Sequence, residues 1–308
     1  MAEMTGSDET AQNPPSLSPP ELSENRAEPV QDLAHQQPAF TEGKPRREKP
    51  EKSRRIEREF GIPIPGEILP PDQWVKTAIK TLPSSGLLNW HEVFGLTLEQ
   101  KQGVVLDLGC GNGRSTLWHA IVEPQFCYLG VDILPVVIRY ATRRANQRGL
   151  GHLRFAVIGG KELLAQFVPP GSVSKICIYH PQPYYEEHLI AKRLVTPEFL
   201  AMAHQALVPG GELILQTDHP AYWQYMEQVV PAFFELRAIP GPWPDAPRGR
   251  TRREILATKR GLPVFRGVAT RKEGLDRASA FEKASALPVP TFNADRRLLA
   301  LDREEQSL

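Results

Sequence analysis

A doubly wound α/β sheet is the fold class that this sequence predicts, because short apolar runs alternate with helical patterns along its middle. Two of these runs, Val104–Leu108 and the run that ends at Asp132, carry an acid at or near their carboxyl end. The first run passes into a turn with alternating glycines. Ligands of open α/β sheets bind at the carboxyl ends of the strands, so the acids and the glycines predict a ligand site there.

Composition and charge are those of an ordinary protein with a core: 41% of the 308 residues are hydrophobic and the formal net charge is +1. This length fits one large domain or two smaller ones. Cys110, Cys127 and Cys177 lie far apart, so neither a disulfide framework nor a cysteine-based zinc site is predicted, and no metal is expected. The sequence has no apolar stretch long enough to cross a bilayer, so we expect a soluble, cytoplasmic protein without a membrane partner.

Residues 1–58 are predicted to form a disordered arm, because Pro, Glu, Gln and Ser dominate it and few of its residues could be buried. The end of the arm, residues 44–58, carries eight basic residues against three acidic ones. This basic run fits either a contact with RNA phosphates or a solvated linker, and both interpretations stay open. Residues 59–100 are predicted to be an extension packed on the core, with a short helix over 72–82.

From residue 101 the pattern predicts a seven-stranded sheet with helices between the strands, in a domain that spans 101–272. The predicted strands are largely apolar and cover 104–108, 126–131, 153–158, 173–179, 212–217, 233–238 and 262–268, the last two antiparallel. The predicted helices are amphipathic or capped and cover 115–122, 135–148, 162–167, 196–206 and 220–230. The tail, 273–308, is predicted to be partly helical or disordered, with no readable function.

The turn that follows the first strand carries the pattern Asp-x-Gly-x-Gly-x-Gly, from Asp107 onward. Its glycines can adopt positive φ and let backbone N–H groups approach a bound molecule. A dinucleotide fingerprint needs glycine where Arg114 stands, so a pyrophosphate cradle fits poorly. Asp132, nineteen residues past the last of these glycines, can accept both hydroxyls of a ribose. The alternative to a ligand site is a glycine-rich turn between a strand and a helix that binds no ligand. The three glycines are Gly109, Gly111 and Gly113.

A basic zone lies between the last two predicted strands, where residues 237–272 hold ten Lys or Arg against two acids. Basic residues beside a ligand site favour a polyanionic substrate. A basic stripe on the 135–148 helix is more simply explained as a solvated face. The stripe consists of Arg139, Arg143, Arg144 and Arg148.

Four further strings resemble, in order and spacing, those of the tRNA guanine-N7 methyltransferase family, and the glycine turn resembles the first motif of class I S-adenosylmethionine-dependent methyltransferases. The strings are Tyr179-His-Pro-Gln-Pro-Tyr184, Lys192-Arg-Leu-Val-Thr-Pro-Glu-Phe199, Thr217-Asp218 and Thr251-Arg-Arg-Glu254. The resemblance covers roughly residues 104–267. It implies a Rossmann-like class I methyltransferase fold, S-adenosylmethionine as cofactor, and methyl transfer to N7 of a guanine in tRNA.

The resemblance also implies a role for each matching residue. The cofactor would be bound by Asp107, Gly109, Gly111, Gly113, Asp132 and Gly159. The catalytic position is Gln182, and the guanine or its nucleotide would contact Glu186, Asp218, Thr251 and Glu254.

Three of these positions depart from the family, which has Asp where Gln182 stands, Lys where Glu186 stands, and Asp where Gly159, or alternatively Gly160, stands. A carboxylate near the guanine would stabilise the positive charge that develops on the ring better than a neutral amide does. N7 carries no proton, however, so no general base is needed and alignment can supply much of the rate. Two rivals stay open: a methyltransferase for another substrate, which the changed 180–186 loop favours, and a noncatalytic RNA-binding relative. Cofactor binding distinguishes the two rivals, because a noncatalytic relative need not bind S-adenosylmethionine. The sequence does not predict the oligomeric state.

Overall fold

The structure is a computed structural model that describes residues 61–293 and 295–306, without the side chains of Leu96, Arg296 and residues 304–306. The arm predicted over 1–58 lies outside the described residues.

One mixed sheet forms the centre of the described chain and has eight strands, not the predicted seven. The strands are β1 (Ala78–Ile79), β2 (Val104–Leu108), β3 (Cys127–Asp132), β4 (Leu153–Val157), β5 (Val173–Tyr179), β6 (Leu207–Thr217), β7 (Phe234–Ala238) and β8 (Phe265–Arg271). The additional strand is β1, which pairs with β4 at the sheet edge. Two residues are too short to show a strand period, so the sequence pattern could not reveal it.

The strand order β1-β4-β3-β2-β5-β6-β8-β7 determines where a ligand can bind. Strands β1 to β6 run parallel to their neighbours within this order, whereas β8 is antiparallel to both β6 and β7, as predicted for the last two strands. The chain leaves β2 toward β3 on one side and reaches β5 on the other. Such a reversal opens a crevice at the carboxyl ends of the two strands.

Nine α-helices accompany the sheet in the described residues. They are α1 (Trp90–Phe94), α2 (Arg114–Val122), α3 (Pro135–Asn146), α4 (Gly160–Gln166), α5 (Pro197–Ala206), α6 (Pro220–Val229), α7 (Arg252–Lys259), α8 (Arg277–Ser285) and α9 (Arg296–Gln306). Helix α5 begins as its sequence predicts, because the Thr196 side chain accepts the Phe199 N–H and Pro197 occupies the first helical position.

The short helix predicted over 72–82 is wrong. A 3-10 turn spans Pro71–Gln73, and the chain then extends into β1. The side chain of Asn146 accepts hydrogen bonds from both the backbone N–H (3.0 Å) and the hydroxyl (2.8 Å) of Thr77. These bonds to α3 hold the segment extended, which local sequence could not indicate. No helix of the described chain is long and apolar enough to span a membrane.

The tail predicted as partly helical forms α8 and α9. Helix α8 buries Ala280 and Ala284 in the main core, and α9 buries Leu301 beside Leu256 and Ala257 of α7. The described part of the tail therefore packs on the same body as the sheet.

Candidate active site

The glycine turn joins β2 to α2 and has three residues in the left-handed region, with φ of 80° at Gly109, 53° at Gly111 and 71° at Gly113. A Cβ atom at Gly113 would lie 2.6 Å from Cβ of Ala141 and 2.9 Å from the ring of Phe155. A Cβ atom at either of the other two glycines would meet nothing within 4 Å. Gly113 is therefore needed for packing, whereas Gly109 and Gly111 leave open space above bare backbone, as a close ligand contact requires.

Asp132 ends β3 beside this turn. Its Oδ2 accepts the Gly111 N–H at 3.0 Å and its Oδ1 accepts the Leu134 N–H at 2.9 Å. The next two side chains, Ile133 and Leu134, are apolar and more than half exposed. The strand end thus presents a fixed carboxylate and an apolar surface to the same crevice.

Asp107 lies in β2 under the turn and is only 4% exposed. Burial raises the pKa of Asp107 to about 7, although the Thr116 hydroxyl, which donates to Oδ2 at 2.6 Å, lowers it and Asp132 raises it further. This carboxyl group consequently changes charge near neutral pH.

Gly159 precedes α4, and a Cβ atom there would make ordinary contact with Cγ2 of Ile133 at 3.7 Å. The Oε2 atom of Glu162, in the first turn of α4, lies 3.9 Å from that Cβ position. An acid one helical turn further along thus reaches the place of the missing aspartate. Glu162 is not among the site residues predicted from the sequence, although an acid three residues after Gly159 at a helix start is a readable signal.

At the carboxyl end of β6, Asp218 is the centre of a buried polar network. Its Oδ1 contacts Nδ1 of His180 at 3.1 Å, and its Oδ2 accepts from Nε of Arg253 at 2.7 Å. The Gln216 amide donates to Nε2 of His180 at 2.8 Å, so Nδ1 carries the ring proton and donates to Asp218. Burial alone would raise the pKa of Asp218, but His180 and Arg253 outweigh it and hold the pKa well below its usual range. Asp218 is an anion.

Gln182 is exposed and lines a cavity of about 20 Å³ together with Asp218. The remaining wall includes Tyr185, His219 and two residues of α9, Leu298 and Asp302. Glu186 is exposed, precedes the 3-10 turn Glu187–Lys192, and does not line this cavity. The structure therefore brings Gln182 and Asp218 together and leaves Glu186 outside.

Thr251 and Glu254 start α7. The Thr251 hydroxyl oxygen accepts the Glu254 N–H at 3.1 Å as the helix cap. The Glu254 carboxylate is buried: Oε1 accepts from Nε (3.0 Å) and Nη2 (2.6 Å) of Arg266, and Oε2 accepts the Arg250 N–H at 2.7 Å. A direct contact between Glu254 and guanine stays a prediction, and these three bonds already use most of the acceptor sites of the carboxylate.

Some of the arginine side chains of the basic zone are paired or buried inside the protein. Arg250 donates to Asp245 at 2.5 Å and to the Tyr179 hydroxyl at 3.1 Å, and its guanidinium lies 3.9 Å from the Trp243 ring centroid. Arg250 is half-buried, and Arg253 and Arg266 are buried. The exposed basic residues of the zone include Arg248, Lys259 and Arg260.

The parallel part of the sheet, which reverses at β2, the open glycine turn, and the acid at the end of the neighbouring strand are together typical of a class I methyltransferase. A family model described as a putative methyltransferase matches residues 101–266, and the chain belongs to this family.

Two relatives carry the name tRNA (guanine-N(7)-)-methyltransferase. The one from Chloroflexus aggregans (strain MD-66 / DSM 9485) is 33% identical over 154 residues, which cover 50% of this chain and 66%, just under two thirds, of that protein. The one from Alkalilimnicola ehrlichii (strain ATCC BAA-1101 / DSM 17681 / MLHE-1) is 29% identical over 189 residues, which cover 61% of this chain and 78% of that protein. Among solved structures, the 16S rRNA methyltransferase KamB aligns with a TM-score of 0.49 at 16% identity and covers 64% of this chain and 99% of that one.

Proposed function

We propose that this protein transfers the methyl group of S-adenosylmethionine to N7 of a guanine in tRNA. The observation that carries the proposal is the juxtaposition of two sites at one sheet edge. The glycine turn with Asp132 ends β2 and β3, and the Asp218 cavity ends β5 and β6, with β2 and β5 direct neighbours. Two relatives are named for the same reaction, and the matching family model covers residues 101–266, which contain both sites.

The cofactor site suits S-adenosylmethionine. The open backbone at Gly109 and Gly111 lets the ligand approach closely, and Asp132 offers oxygens to ribose hydroxyls. The ionised form of Asp107 favours the cofactor's ammonium group, and Ile133 with Glu162 suits an apolar ring that carries an amino group. When bound, the cofactor supplies an electrophilic methyl group on a positively charged sulfur.

The chain's own residues contribute orientation and charge. Methyl transfer would leave positive charge on the guanine ring, where the chain's residues would have to stabilise it, and N7 carries no proton that a base would have to remove. The fixed anion Asp218 and the Gln182 amide lie at the cavity where the base would be held. Prearranged charge of this kind stabilises the transition state more than the ground state. The role of Asp218 is therefore binding and electrostatic, not that of a base.

The exposed basic residues of the 237–272 zone favour a long polyanion over a free nucleotide. We assign catalysis to residues 101–272, with 59–100 as an extension on that domain and 273–308 as the tail, and we place the reaction in the cytoplasm.

The test is methylation of bulk tRNA by the purified full chain, followed by mass spectrometry of the nucleosides. We expect 7-methylguanosine, its loss in Asp132→Ala, and no change in Asp72→Asn, which alters an exposed acid in the Pro71–Gln73 turn. A different methylated nucleoside would favour the rival substrate. Undetectable methylation together with absent cofactor binding would favour the noncatalytic relative.

A further inference from the structure

The C-terminal segment, defined as residues 287–293 and 295–306, lies on the proposed nucleotide site, which is the cavity lined by Gln182 and Asp218. It follows the region matched by the family model, which ends at residue 266. Its firmest link is the fully buried Arg193, whose Nη1 donates to the carbonyl oxygen of Pro290 at 2.7 Å and whose Nη2 donates to those of Phe292 at 3.0 Å and Tyr184 at 2.9 Å. The same guanidinium lies 3.7 Å from the Phe292 ring centroid. One arginine thus joins the segment to the loop that carries Gln182.

A second link involves charge. Nη1 of Arg253 donates to the carboxylate of Asp302, in α9, while Nε of the same guanidinium donates to Asp218 at 2.7 Å. The Arg253 and Asp302 side chains are 9% and 13% exposed. The acid of the C-terminal segment and the proposed nucleotide-binding acid therefore share one arginine.

The space left beneath the segment is too small for a nucleobase. The cavity of about 20 Å³ between Gln182, Asp218, Leu298 and Asp302 has room for about one water molecule. Two of the eleven lining residues, Leu298 and Asp302, belong to α9. A guanine therefore fits beside Asp218 only if the cavity opens, and α9 forms one of its sides.

Covering the site also leaves two polar groups without partners. His219 is 3% exposed, and its Nδ1 accepts the Tyr222 N–H at 3.2 Å, so the neutral ring carries its proton on Nε2. That Nε2 and the Tyr185 hydroxyl are buried without a hydrogen-bond partner in the described chain. The Phe292 ring lies 4.7 Å from the His219 ring, so the C-terminal segment is part of what covers it. Buried donors without acceptors are costly, and a polar ligand in this place would satisfy them.

We propose that the C-terminal segment occupies the nucleotide site in the RNA-free protein and is displaced when tRNA binds, with a phosphate taking the place of Asp302 on Arg253. The identity of the ligand rests on the proposed function. A carboxylate and a phosphate make the same charge-assisted bonds to a guanidinium, so the exchange needs no new chemistry. Because only the open fraction of the protein can bind tRNA, closure lowers the apparent affinity for tRNA in proportion to that fraction.

The experiment compares Asp302→Asn with a matched control, Asp295→Asn. Both remove one charge from the same segment, but Asp295 does not line the cavity, and asparagine can still cap α9 by accepting the Arg297 N–H, as Asp295 does at 2.9 Å. We expect Asp302→Asn to lower the KM for tRNA by about threefold or more with kcat nearly unchanged, and Asp295→Asn to match the wild type. A higher KM or a lower kcat in Asp302→Asn would show that the acid belongs to the working site and would overturn the proposal.

Amide hydrogen exchange provides a second readout that does not depend on activity. Backbone amides of α9 should lose protection when saturating tRNA is added, and in Asp302→Asn they should be less protected without RNA. Equal protection of α9 with and without saturating tRNA would refute displacement. If tRNA exposes α9 but no variant methylates it, the proposed reaction fails and the displacement stands. If tRNA is methylated while α9 stays protected, the proposed reaction stands and the displacement fails.

Discussion

Asp107 is an acid whose charge near neutral pH is decided by burial, because burial raises its pKa to about 7. A bound ammonium group favours the ionised form, so cofactor affinity should rise with pH. Below pH 7 we expect the Kd for S-adenosylmethionine to grow about tenfold per pH unit. Calorimetry between pH 5.5 and 8 measures this slope.

The control is Asp107→Asn, which keeps the shape and an acceptor oxygen for the Thr116 hydroxyl. Its affinity should be weaker at pH 8 and independent of pH over this range. A wild-type Kd that does not vary with pH would place the carboxylate away from the ammonium group.

Gln182 stands where the resembling family has an acid, and it shares a cavity with the anion Asp218. Gln182→Asp should raise the rate of methyl transfer, because the new carboxylate would lie near charge that develops as the methyl group moves. An oriented electrostatic contact of this kind is worth about 10² to 10³ in rate, so a partial gain should be visible in single-turnover assays of bulk tRNA.

Gln182→Asn is the matched control, since it shortens the side chain equally without adding charge. A gain in both variants would attribute the effect to size. Zero rates in both variants and the wild type would support the noncatalytic relative, and loss of a different activity in Gln182→Asp would support another substrate.

The predicted bounds of β2 and β5 agree with the observed bounds at both ends. Each strand is an apolar, largely buried run between turn residues, which makes its ends easy to locate. The Thr251-x-x-Glu254 string shows how a short motif can have two causes. It matched the resembling family, and it is also the sequence of a capped helix start, which Thr251 and the Glu254 N–H form here. The buried pair of Glu254 with Arg266 could not be predicted, because it depends on the packing of α7 against β8.

The glycine turn allows a test that separates packing from ligand binding. Gly113→Ala should destabilise the protein by about 1–3 kcal/mol or more, because its Cβ would lie 2.6 Å from Cβ of Ala141 at a positive φ. Gly111→Ala should have the smaller effect on stability, since a Cβ there meets nothing within 4 Å, but should weaken cofactor binding.

Thermal unfolding and calorimetry on both variants measure the two effects. Unchanged cofactor affinity in Gly111→Ala would mean that the open side of the turn does not face the ligand. Equal losses of stability in both variants would contradict the packing argument.

The arrangement of the candidate site was predictable as far as it follows from strand order, because parallel strands bring their carboxyl ends to one edge. Asp132 and Asp218 could be found in this way. Contacts made by the C-terminal segment could not, because Arg193 with Phe292 and Arg253 with Asp302 join residues far apart in sequence that no local pattern relates. The sequence therefore predicted the sheet edge that carries the site but not the C-terminal segment that covers it.

The distribution of charge over the chain gives a final prediction, because a net charge of +1 conceals basic zones at 44–58 and 237–272. If both zones neutralise tRNA phosphates, affinity should fall steeply with salt, and each lost phosphate contact should reduce the log–log slope by about 0.9. Replacing the eight basic residues of 44–58 by Gln should flatten the slope more than Arg248→Ala does. Lys283→Ala, which alters an exposed residue of α8 outside both zones, should leave the slope unchanged. Filter binding over a salt series decides the matter, and affinity independent of salt would argue for a small-molecule substrate instead.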